Sequence, residues 1–347
     1  MAERADGQQG LIIAIGNAPS SGSTLLADLL DSLPDAVCGP ELQLFSVRRH
    51  YTAFADIRAH GFGADLTPAC CAPYSVRLLQ EVLPDYGLDG AGVAGLLQAA
   101  DDFPGFCRLL FAHYARHRGK HARLFFDKTP ENIHCADVFL DTFPDACFLH
   151  IVRAPLPVYR SLRRRGFPPY QAACSWLIDV AAAWALRDHP RFYSLRYEDL
   201  VRDPDATIGA FLERIGHAPP IRPLKELYAD NAYRRGIRRV PSWEVSTYGE
   251  IIARATEAGG EGSIPAPLLG LRVAPAYADH FGLPRVSLSE LAAYYGYDGF
   301  DARPPRPAHR DMRSLLVLAR KWGKDFIHGL NRFSDLPVYL RPGSYSR

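Results

Sequence analysis

The chain has 347 residues, 48% of them hydrophobic and 22% charged, with a formal net charge of +2 and seven cysteines. A chain of that length buries most of its apolar surface as one large α/β domain or two ordinary ones, and the composition argues against a fibrous or extensively disordered protein. No run of about 18 apolar residues is present to form a membrane-spanning helix, and Met1–Gln9, with Glu3 and Asp6, lacks the basic-then-apolar layout of a signal peptide; the expectation is a cytoplasmic protein.

The cysteines are odd in number and scattered, without a C-x-x-C pair or a histidine at zinc spacing, so free thiols and no metal are expected. Charge is uneven. Ten Lys/Arg against three Asp lie between Arg303 and Arg347, which leaves the rest of the chain net acidic. The expected division is a domain over 1–302 and a basic C-terminal extension over 303–347.

In chain order, Leu11–Ile15 is a short apolar run ending at Gly16, followed by Leu25, Leu26, Leu29, Leu30 and Leu33 at helical spacing, which predicts strand, loop, helix. A second strand is expected just before Glu41. Between about 45 and 120 the strand rhythm lapses, and Tyr74–Leu83 and Gly92–His117 read as mostly helical, an insertion able to shape an acceptor pocket. The rhythm returns with a strand at Leu124–Phe126, a helix from Glu131, a strand at Ala146–Val152, a helix from Pro155, a strand at Phe192–Tyr197 and a helix over Pro204–Ile215. Alternation of this kind predicts a central parallel sheet with helices on both faces. Ile264–Pro307 reads as irregular apart from Leu288–Tyr295, and Arg310–Leu330 as an amphipathic basic helix.

The segment Gly16-Asn17-Ala18-Pro19-Ser20-Ser21-Gly22-Ser23-Thr24-Leu25 joins strand to helix through small residues. Its backbone N–H groups can converge on an anion at a helix N-terminus; otherwise it is a plain small-residue turn. A nucleoside-triphosphate loop of the type G-x-x-x-x-G-K-[ST] would need Lys after Gly22, where Ser23 stands, and Gly where Asn17 stands. Further on, Arg153 at a strand end and Ser161 eight residues later, within two turns of the helix start, could grip one phosphate. The neighbouring Arg163–Arg165 run reads as a solvated face.

Pro19, Ser21, Gly22, Ser23, Thr24 and Leu25 make the loop resemble the 5′-phosphosulfate loop, P-[RK]-S-G-[ST]-T-L, of sulfotransferases that use 3′-phosphoadenosine 5′-phosphosulfate (PAPS). Ser20 departs from that pattern by standing where the family usually has Arg or Lys. Arg153 and Ser161 resemble the same family's 3′-phosphate site. Arg196-Tyr197-Glu198-Asp199-Leu200 is similar to its [RY]-Y-E-D-[LM] strand end, whose tyrosine lies near the adenine, although Tyr197 alone would pass for a half-buried strand residue. Arg234-Arg235-Gly236 and Ser242-Trp243 are similar to its R-K-G…W segment, with two more residues before the tryptophan, and make Arg235 a further candidate for the 3′-phosphate.

The resemblance implies a P-loop-like α/β fold, PAPS as co-substrate, 3′-phosphoadenosine 5′-phosphate (PAP) as product, and no metal. It implies two catalytic residues. Glu41 is similar in position to the general base of the tyrosylprotein branch, and Lys128 resembles a lysine set against the transferring sulfuryl group, which would compensate for Ser20. Read without the family, Glu41 could cap the next helix and Lys128 could be a surface lysine. His134 and His150 are expected to be structural.

The acceptor is left open among small-molecule, glycan and carrier-bound hydroxyls or amines, as is the oligomeric state. No nucleic acid is expected, since the basic residues are not interleaved with aromatics in a known module. The basic extension could lie on its own domain, on an anionic membrane surface, or on an acidic partner. Two rival readings stand beside this one, a P-loop kinase-like phosphotransferase and a non-catalytic nucleotide- or glycan-binding protein.

Overall fold

The computed structural model describes residues 10–62, 82–167, 169–231, 263–273, 278 and 282–300. Arg235, Ser242, Trp243, the basic extension and most of Tyr74–Leu83 lie outside the described residues.

Five strands, β1 Leu11–Gly16, β2 Ala36–Cys38, β3 Leu124–Lys128, β4 Cys147–Val152 and β5 Phe192–Arg196, form one sheet in the order β2-β3-β1-β4-β5. Every pairing is parallel. β1, β3 and β4 are almost wholly buried, because helices cover both faces and each apolar run needs cover on both. Alternate residues serve different cores. Ile13 and Ile15 of β1 join Phe126, Leu149 and the helix α1, Ser23–Asp31, through Leu25, Leu26, Leu29 and Leu30. Ile12 and Ala14 face the other way, with Phe125, Phe148 and Trp176.

The expected insertion is helical where described, with α2 Arg48–Thr52, α3 Phe54–His60, α4 Gly90–Ala99 and α5 Phe103–His117. It packs directly on the sheet. Phe45 has the rings of Phe103, Phe111, Phe139 and Phe143 at centroid distances from 4.8 to 6.2 Å, and Phe111 stacks on Phe125 of β3. Gly92–His117, expected to be mostly helical, is helical in two pieces. Asp102 accepts from the Gly105 N–H at 2.7 Å and starts a new helix, with Pro104 in its first turn.

The helical stretch expected from Glu131 is present and opens with a tighter turn. Pro130–Cys135 is a 3-10 turn leading into α6, Ala136–Thr142, and the Asn132 amide holds it by donating to Ile15 O at 3.1 Å and Asp127 Oδ2 at 2.8 Å. There follow α7 Pro155–Arg164, α8 Pro169–Ala185, α9 Tyr197–Arg202, α10 Pro204–Arg214, α11 Leu224–Asp230 and α12 Leu288–Tyr294. A capping box of Ser287 and Glu290 starts α12, and the single turn Ala266–Leu269 adds helix to a stretch expected to be irregular.

Strand order decides where a ligand goes. The chain leaves β1 for β2 and β3 on one side and then crosses to β4 and β5 on the other, so the C-terminal end of β1 is the switch point where open α/β sheets form their crevice. The loop after β1, Lys128 at the end of β3 and Arg153 after β4 all meet that edge.

Candidate active site

The loop from Asn17 to Gly22 turns sharply because two of its residues are left-handed, Ser20 at φ 66° and Gly22 at φ 91°. Ser20 is one of two described non-glycine residues with positive φ, a conformation that persists only where surroundings hold it. Gly22 is required for space as well as φ, since a Cβ there would sit 2.2 Å from the Tyr197 ring. No side chain caps α1, so its first N–H groups keep their donors for another partner, and the buried Ser21 hydroxyl has no partner either.

The second predicted pair arrives at the same loop. Arg153 Nη1 donates to Ser20 O at 3.2 Å, and the Ser161 hydroxyl donates to Ser20 Oγ at 3.1 Å. The Arg153 guanidinium lies 4.2 Å from the centre of the Tyr197 ring, the ring that also backs Gly22. Burial lowers the Arg153 pKa from its ordinary value, opposed by Tyr197 and Glu198. Its backbone is fixed too. Trp176 Nε1 donates to Arg153 O at 2.9 Å, and Glu198 accepts from the Ala154 N–H at 3.0 Å and from the Tyr297 hydroxyl at 2.9 Å. Ser20, Gly22, Arg153, Ser161 and Tyr197 thus form one cluster; Ser21, Ser23, Thr24 and Leu25 continue the loop into α1.

Lys128 and Glu41 form a second cluster. Lys128 Nζ forms a salt bridge with Glu41 Oε1, both side chains being largely buried. Strand register puts Lys128 opposite Ile15, next to the start of the loop. Glu41 is bracketed by two anchors: Tyr86 Oη donates to Pro40 O at 2.9 Å, and the Gln43 N–H donates to Thr129 Oγ1 at 3.2 Å. Gly39 admits Tyr86, whose hydroxyl would stand 2.1 Å from a Cβ at that position. Burial raises the Glu41 pKa above the ordinary carboxylate value. Lys128 opposes that shift, Glu131 adds to it, and Arg165 opposes it.

Two features escaped the sequence reading. Arg165, at the C-cap of α7, brings Nη1 to 3.5 Å from Ser20 Oγ and acts electrostatically on Glu41. The only sequence signal was the Arg163–Arg165 run. Asp127, next to Lys128, is buried on Asn132 with its pKa pushed up to about 6 by burial. Neither histidine joins the site. His150 lies inside β4, with Nδ1 3.0 Å from Ser194 Oγ and its pKa lowered by burial to about 3, while His134 Nε2 sits 2.7 Å from Asp179. Five cysteines are described, all free, and no cluster able to hold a metal occurs among the described residues.

The chain is similar to two mycobacterial proteins, both named omega-hydroxy-beta-dihydromenaquinone-9 sulfotransferase Stf3. Those from Mycobacterium bovis and Mycobacterium tuberculosis are each 30% identical over 154 residues, which is 37% of this chain and 39% of the relative. The match therefore spans about two fifths of their length. Among solved structures, the sulfotransferase domain from the curacin biosynthetic pathway aligns at TM-score 0.52 and 18% identity over 83% of this chain and 98% of that domain, a likeness of fold. The model of the sulfotransferase family matches residues 13–218, which contain both clusters and more than half of the chain, and the protein belongs to that family.

Proposed function

We propose that the chain transfers a sulfuryl group from PAPS to a hydroxyl or amine of a small-molecule, glycan or carrier-bound acceptor. One observation carries the donor assignment. The β1 loop, with uncapped N–H groups and an unpartnered buried serine, is joined through Ser20 to Arg153 and Ser161, so one surface offers anion donors from two separate elements. That arrangement fits a nucleotide phosphorylated at both ends. The loop lacks the lysine a triphosphate site would use, since Ser23 follows Gly22. PAPS would contribute an activated sulfuryl group and a phosphate leaving group. The relatives' name, which specifies an omega-hydroxy compound, supports a hydroxyl acceptor.

In this reading the Ser20–Leu25 segment holds the 5′ end, Arg153 and Ser161 hold the 3′-phosphate, and Arg235 is a further candidate there. Glu41 takes the acceptor proton as the acceptor atom bonds to sulfur. The bond from sulfur to the 5′-phosphate oxygen breaks with its electron pair on the phosphate. Burial suits Glu41 to this step, because raising its pKa above the ordinary carboxylate value makes it a stronger base. Lys128 orients that carboxylate and sets positive charge beside the loop. The domain spans 1–302 and the basic extension 303–347. No described helix is long and apolar enough to cross a membrane.

Calorimetric titration with PAP, ATP and AMP tests the donor. Micromolar binding of PAP that is lost with AMP, which lacks the 3′-phosphate, is expected. Equal or tighter binding of ATP would overturn the reading in favour of a phosphotransferase.

A further inference from the structure

Sulfuryl transfer deposits negative charge on the departing 5′-phosphate, and a loop that handles it needs positive charge there. None is available locally: from Asn17 to Asp31 the chain contains no Lys, Arg or His. Lys128 stands beside the start of the loop, but until Glu41 takes the acceptor proton its charge is met by that carboxylate. Arg153 is drawn under the loop, against Tyr197.

One more cation reaches the loop. Arg165 Nη1 stands 3.5 Å from Ser20 Oγ, the atom to which the Ser161 hydroxyl also donates. Ser161 and Arg165 are four residues apart at the end of α7, hence on one helix face, and both are aimed at the same serine. Phe167 steadies the guanidinium, with its ring centre 5.6 Å away. Arg165 also opposes the rise in the Glu41 pKa, so its charge is felt at the loop and at the carboxylate together. It forms no salt bridge among the described residues.

We infer that Arg165 supplies, from the end of α7, the positive charge that the β1 loop lacks, and that it binds the 5′-phosphate end of the nucleotide over Ser20. The small Ser20 side chain is what leaves the guanidinium room. The assignment deepens the proposed function and rests on its donor.

Calorimetry tests it with PAP, with adenosine 3′-monophosphate, which lacks the 5′-phosphate, and with inorganic pyrophosphate as a nucleotide-free probe. Arg165→Ala is expected to weaken PAP about 10- to 100-fold while leaving adenosine 3′-monophosphate unchanged. Ser20→Lys in the Arg165→Ala background is expected to recover most of the loss, because it restores a cation from the loop itself. PAP binding by Arg165→Ala equal to that of the parent protein, or an equal loss for both nucleotides, would overturn the assignment. Failure of the parent protein to bind PAP would overturn the donor instead. Pyrophosphate then decides on Arg165: weaker binding by the variant supports it, and equal binding or none refutes it.

Discussion

Glu41 and Lys128 were read from the sequence as two separate candidates, and the fold makes them one unit, 87 positions apart in sequence and joined by a largely buried salt bridge. A buried pair of this kind is strongly unbalanced by removing one partner. Lys128→Ala leaves Glu41 buried without its nearest cation, which removes the attraction that opposes the burial-driven rise in its pKa. The rate of sulfuryl transfer should fall about 10² to 10⁴-fold, with PAP affinity within a few-fold of the parent. Glu41→Gln keeps the shape and removes the base, and should lose rate to a similar extent. A rate profile separates base from positioning group: the acid limb set by Glu41 should disappear in Glu41→Gln and persist in Lys128→Arg. An unchanged acid limb in Glu41→Gln would assign the base elsewhere.

The element that organises the site is the β1–loop–α1 unit, legible in the sequence because an apolar run, a string of small residues and leucines at helical spacing follow one another without interruption. The sequence did not disclose why Gly22 is needed, since its steric partner, Tyr197, comes from the start of α9, just after β5. Gly22→Ala meets both a ring at 2.2 Å and a φ of 91°, so the loop must shift away from Tyr197 and Arg153. PAP binding should fall more than tenfold while the melting temperature drops only a few degrees, the pattern of about 1 to 2 kcal/mol of local strain. Unaltered PAP affinity would separate the loop from the nucleotide.

The same logic explains what spacing alone left undivided. The residues on either side of Ala100–Asp102 are apolar, so periodicity does not mark a break there, yet an Asp that caps from outside the helix outcompetes continuation. Asn132, bonded to β1 and β3, tightens the start of the helical stretch after β3 into a 3-10 turn, a contact that spacing does not disclose. Arg165 was passed over because a basic run at a helix end is ordinarily solvated, and its partner lies 145 positions away in sequence.

At the scale of the whole molecule, the two-faced sheet that positions the site also encloses ionisable groups, and these set how stability answers to pH. His150 in β4 and His50 in α2 are buried, with pKa values lowered by burial to about 3 and about 4, so neither takes a proton in the native state near pH 5. The unfolded chain protonates both from an ordinary value of 6.5, so the stability they contribute is present above pH 6.5 and lost as the pH falls below it. Asp127 works in the opposite sense. Its folded pKa of about 6 lies above the ordinary 3.8, so the native state gains a proton first and recovers stability as the pH drops through that window. At about 1.4 kcal/mol per unit, going from pH 7 to pH 5 removes about 4 kcal/mol through the histidines and returns about 1 through Asp127, a net loss of about 3 kcal/mol over these three groups, which the raised pKa of Glu41 reduces. Urea unfolding at the two pH values should show that loss. Asp127→Asn should deepen it, by removing the group that compensates, and His150→Gln should reduce it by about 2 kcal/mol whatever it costs at pH 7. If His150→Gln leaves the difference between the two pH values unchanged, the acid limb belongs to groups outside the sheet.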